Sequence, residues 1–130
     1  MQITINYLAI IGAAVANVAV GALWYGPVFG KQWRKMMSFT EADMKKMPLT
    51  PIQAICGGVI TALVMAFVLS QIAPAGISPL TLAFWPWVGF VATTQAGSWL
   101  WEGKSFKLFA FNAAASFVSL FAMAFVITSV

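Results

Sequence analysis

Residues 24–33 read WYGPVFGKQW. An uncharged apolar run ends in this stretch, and the first charge of the chain, Lys31, appears in it. Trp24 and Tyr25 carry amphipathic rings of the kind that settle at a membrane–water boundary. Gly26-Pro27 predicts a helix stop, because Gly releases the helix and Pro lacks the N–H to continue it. Upstream, residues 3–23 carry no charge. At 1.5 Å per residue such a helix covers roughly 32 Å, enough for a hydrocarbon core of about 30 Å.

The composition extends this reading to the whole chain. Of 130 residues, 62% are hydrophobic and 8% charged. A soluble domain carries about 25% charged residues. Ten charges cannot coat a soluble surface of this size, so lipid is the expected solvent for most of it. The net charge of +4 is no sign of nucleic-acid binding, since five of the seven basic residues fall between Lys31 and Lys46, beside apolar runs. Lys31, Arg34 and Lys35 are placed to meet anionic headgroups. The opening MQITINYLAI lacks the basic start of a secretory signal, so the first run reads as a retained span.

Four spans of about 3–25, 51–73, 80–101 and 108–130 follow from the uncharged runs. The expected fold is all-α, a single domain over 1–130 formed by an integral membrane bundle of four transmembrane helices. Between the first two lies a short amphipathic surface segment, over about Glu41 to Met47, preceded by the helix-start pattern Ser38-x-x-Glu41. Pro51 suits a first helical turn. Pro86 falls within the first two turns of the third span, where it marks either the helix start or a kink. The first and third connections hold all seven Lys and Arg, and the second holds none. The positive-inside rule then puts both charged connections in the cytoplasm of a bacterial inner membrane and both termini outside it.

Small residues recur every fourth position in two spans, as Ala9, Ala13, Asn17 and Gly21 and as Gly89, Thr93 and Gly97. Such stripes admit close helix approach and point to a homo-oligomer. Trp24-x-Gly26-x-x-Phe29 is echoed by Trp101-x-Gly103-x-x-Phe106, each at the end of a span. The echo reads either as ordinary interfacial turn chemistry or as duplication of a two-helix unit.

WYGPVFGKQW, TEADM at 40–44, GFVATT at 89–94, WEG at 101–103 and LFAFNAAASFVSL at 108–120 together make the chain similar to a membrane family known as domain of unknown function 1761. The resemblance spans nearly the whole length and implies four spans. It implies no substrate, cofactor or catalytic residue.

The polar groups inside the spans are few. Asn17, Thr93, Thr94, Gln95, Asn112 and Ser116 either bond helix to helix or form a polar pocket. Glu102 is the one carboxylate adjoining a span; Gln95 and Ser98 precede it on the same helical face. It serves as a cation or proton site, or else pairs with Lys104 or Lys107. There is no His, and Cys56 stands alone. No Ser-His, Cys-His or paired-carboxylate arrangement can be assembled, so no enzyme activity, catalytic residue, cofactor or metal is expected.

The function expected first is that of a structural or accessory membrane protein, acting through self-association or within a larger membrane complex, and two alternatives stand beside it. The second is a small oligomeric transporter or channel, with its path near Asn17, Thr93, Gln95 and Asn112. The third is a protein that binds anionic membrane lipids.

Overall fold

The computed structural model describes residues 6–36 and 51–129, with side chains from residue 56 onward in the second stretch. The amphipathic segment expected near Glu41 to Met47 lies outside the described residues, as do the ends of the first and last expected spans.

Helix α1 (Tyr7–Leu23) starts where Asn6 caps it: the Asn6 side chain accepts from the Ala9 backbone N–H at 3.2 Å. The expected stop at Gly26-Pro27 takes another form. The helical path widens into a π-helical turn, Trp24–Val28, with Gly26 at φ −109° and ψ −111°. The Phe29 N–H reaches back to the Trp24 carbonyl at 3.0 Å, which closes the wide turn. Helix α2 (Gly30–Met36) begins at once, so the chain changes course without leaving helical conformation for long.

Helix α3 (Pro51–Ile72) opens on its proline, as the missing N–H allows. Gly76, at φ +80°, then turns the chain in a left-handed conformation that favours Gly. Ser78 caps helix α4 (Pro79–Pro86) by accepting from the Thr81 N–H at 3.2 Å. Pro86 ends α4, and a second π-helical turn, Trp87–Val91, carries the chain into α5 (Ala92–Leu100). A proline cannot donate to the preceding turn, and a wide turn is one way to accommodate that gap. Helix α6 (Phe106–Ser129) starts at Ser105, whose hydroxyl oxygen accepts from the Leu108 N–H at 3.1 Å.

Among the described residues all regular structure is helical. Two helices are long and apolar enough to cross a membrane, by length and composition: Tyr7–Val28, of 22 residues, and Phe106–Ser129, of 24. These two form the central pair, with α3 packed on α1 and α4 packed on α6.

The core is built largely from alanine. Ala13 and Ala14 of α1 meet Ala62 and Ala66 of α3, Ala83 of α4 and Ala124 of α6, with Ile10, Leu69, Leu82, Leu120 and Met123 filling between them. Small side chains bring backbones close enough for extensive van der Waals contact. Gly12 continues this: a Cβ there would stand 3.0 Å from Val126 Cγ1. Ala9 and Ala13 are buried within the protomer, whereas Gly21 faces open space, so only part of the first stripe is used internally.

This core lies toward one end. There Asn6, Ser70, Pro74 and Thr128 border a common cleft of about 390 Å³. At the opposite end Tyr25, Trp33, Glu102 and Asn112 border another, so α2, which carries Lys31, Arg34 and Lys35, and the turn at Glu102 lie at the same end of the molecule.

Candidate functional site

The end away from the alanine core opens into a cavity of about 700 Å³. The turn Trp24–Val28 and helix α2 supply Tyr25 and Trp33 to its wall. Helix α5 and the turn after it supply Thr94, Gln95, Gly97, Ser98, Trp101 and Glu102, and α6 supplies Phe109 and Asn112. The size falls within the usual range for small-molecule sites, about 300–1,000 Å³.

The first wall is held by aromatic packing. Phe111 of α6 sits against Trp24 at 5.5 Å, Tyr25 at 5.8 Å and Phe29 at 5.9 Å between ring centroids. Tyr25 also meets Trp33 edge-on at 5.4 Å. Edge-to-face pairs of this kind are favoured by the ring quadrupoles. Gly30 allows the tight return: a Cβ there would lie 2.8 Å from the Tyr25 carbonyl oxygen.

Polar bonds tie the walls to α6 in sequence. The Tyr25 hydroxyl donates to Asn112 Oδ1 at 2.7 Å. One turn on, Gln95 Nε2 donates to Ser116 Oγ at 2.9 Å, and the Ser116 hydroxyl donates to the Asn112 backbone carbonyl at 3.0 Å. Deeper still, the Ser119 hydroxyl donates to Asn17 Oδ1. At the far side Trp87 Nε1 donates to the Ala113 carbonyl at 2.8 Å. Asn112, Ser116 and Ser119 thus present one polar seam along α6, each joined to a different part of the chain.

The residues singled out from sequence divide accordingly. Thr94, Gln95, Glu102 and Asn112 meet at the cavity, and Ser116 stands behind Gln95. Thr93 is exposed and bonded to the Gly89 carbonyl at 2.9 Å, outside the cavity. Asn17 is also outside it, satisfied by Ser119. Trp101 lines the mouth. Trp24 packs on Phe29 at 4.7 Å, with its indole N–H buried and unpartnered. Gly26 and Pro27 are exposed in the π-helical turn. Gly103 turns the chain at φ +71°. Lys31, Arg34 and Lys35 are exposed on α2, where Arg34 Nε donates to the Gly30 carbonyl at 3.3 Å.

The two copies of the Trp-Gly-Phe echo differ in backbone. Gly26 sits in a wide helical turn and Gly103 in a left-handed one. In the first copy Trp24 packs on Phe29; in the second, Phe106 packs on Trp99 at 5.0 Å, while Trp101 is 85% exposed. Both turns border the same cavity all the same.

Trp33 and Phe109 as walls, Tyr25 as a bond donor and Gly30 as a pivot were not legible as site residues. Only the interfacial ring of Tyr25 and the Trp that closes WYGPVFGKQW hinted at them.

These features define an all-helical chain with two helices of membrane-crossing length and apolarity and a polar, aromatic cavity at one end. The chain belongs to the family described as protein of unknown function DUF1761, whose model matches residues 8–128. Neither a curated protein nor a solved structure matches it.

Proposed function

We propose that the protein is a four-span integral membrane protein that binds a small solute in the cavity between α2, α5 and α6, as a small transporter does. The spans are Tyr7–Val28, α3, α4 through α5, and α6. The charged turns face the cytoplasm of a bacterial inner membrane, and the cavity opens on that side. The single observation that carries the reading is the cavity itself. Four of the seven in-span or span-end polar residues singled out from sequence line one space of about 700 Å³.

The outer surface supports the membrane part. Leu8 and Val15 on α1, Ile60 on α3, Trp85 on α4, Phe90 in the second π-helical turn and Phe125 on α6 are each more than half exposed. Large apolar side chains turned outward on every major helix suit a lipid surround and would be a liability in water. The shared end of the charged turns supports a common side for them.

Self-association is a second reading. Gly89 is exposed with open space where a Cβ would stand, and Thr93 lies beside it on the same face. That small-residue face has no partner within the protomer among the described residues, while Ala9 and Ala13 are already taken.

Cysteine labelling tests the solute-site reading. With Cys56→Ser as background, Ser98→Cys should react with a membrane-impermeant maleimide added from the cytoplasmic side, and Phe125→Cys should not. An unreactive Ser98→Cys, or reaction only from the opposite side, overturns it.

A further inference from the structure

We infer that the solute is an organic ammonium ion. This rests on the solute-site reading above and adds the chemical class.

The hydroxyl donors that line the cavity are spent inside the protein. Tyr25 gives its proton to Asn112 Oδ1, Thr94 to the Phe90 carbonyl and Ser98 to the Gln95 carbonyl. Gln95 Nε2 donates to Ser116 Oγ, and the Ser116 hydroxyl donates on to the Asn112 carbonyl. Gln95 Oε1 is left buried with no partner. The hydroxyl lone pairs and the Glu102 carboxylate remain as acceptors at the cavity, beside the Asn112 side-chain amide and the Trp101 indole. Among the described residues, Glu102 is the only charged residue of the lining. A lining whose one charge among the described residues is negative selects a ligand that brings positive charge.

The walls select further. Tyr25, Trp33 and Trp101 are all cavity residues, and the faces of such rings attract cations, Trp most strongly. A hydrated inorganic cation would gain little from them. An ammonium ion carrying carbon substituents gains from both the rings and the carboxylate. An anion is opposed by Glu102, and among the described lining residues no Lys or Arg stands to receive it.

Choline and its neutral isostere dimethylbutanol, with carbon in place of nitrogen, separate charge from shape. Calorimetric titration of the whole protein in lipid nanodiscs should show saturable choline binding and about tenfold or more weaker binding of dimethylbutanol. Glu102→Gln and Trp101→Leu should each weaken choline about tenfold, and Lys104→Gln should leave it unchanged. Monodisperse elution of each variant guards against misfolding. Equal binding of the two probes, unaltered by Glu102→Gln, overturns the ammonium assignment while leaving a solute site in place. No saturable binding of either probe also overturns it, and the Ser98→Cys labelling then decides separately whether the cavity is open to water.

Discussion

The Tyr25 hydroxyl donates to Asn112 Oδ1 at 2.7 Å across 87 positions of sequence. This bond latches the π-helical turn after α1 to the first third of α6, and it closes one side of the cavity. Around it, Phe111 packs against the Tyr25 ring, so the phenol is held by both its polar tip and its apolar body.

Tyr25→Phe keeps the ring packing and removes the latch. Interhelical hydrogen bonds in membranes are worth about 0.6 kcal/mol on average and at most about 2. A thermal melt in detergent should fall accordingly, by a few degrees. Asn112→Ala should cost a similar amount, and the double variant should cost less than the sum, because the two share one interaction. Additive losses would show that the bond does not form.

Gly30→Ala and Gly21→Ala make a matched pair. At Gly30 the new Cβ would meet the Tyr25 carbonyl oxygen at 2.8 Å, and backbone cannot yield as a flexible side-chain tip does. The expected loss is about 1–3 kcal/mol, the usual cost of forcing atoms into a filled space. At Gly21 nothing lies within 4 Å, and the helix interior should gain up to about 1 kcal/mol from the better helix former. Equal melting temperatures for the two variants would contradict the tight return of the chain at Gly30.

Gly12→Ala probes the central pair of helices. Its Cβ would press on Val126 Cγ1 at 3.0 Å, so α1 and α6 must separate slightly. We expect a lower melting temperature for Gly12→Ala and partial recovery on adding Val126→Ala, which makes room for it. Loss without recovery would point away from this contact.

Much of the helical layout was legible because its signals are local. Uncharged runs of bilayer length, Pro51 at a helix start and charge confined to two turns need no knowledge of neighbours. The pocket was legible in part for a similar reason: Gln95, Ser98 and Glu102 share a face by helical spacing alone, and all three reach the cavity. Pairings across helices were not legible. Asn17 takes the helix-to-helix alternative, but its partner Ser119 could not be named in advance, because the rotation of α1 about its axis decides that it turns to α6 and away from α5. The π-helical turns escaped notice too. Gly26-Pro27 signals a break, but whether a chain stops or widens there depends on what waits beyond it, and here Phe111 holds the aromatic residues on both sides of the turn.

The off-centre placement of the alanine core has a bearing on how such a chain can diversify. Cohesion is concentrated around Ala13, Ala66, Ala83 and Ala124, far from the mouth framed by Trp101 and Glu102. Replacements around that mouth can retune what fits there while the opposite half keeps the helices gathered, much as a clothes-peg keeps its spring however its jaws are filed. With the proposed solute site at the mouth, tolerance to mutation and choice of solute fall at separate ends of one small molecule.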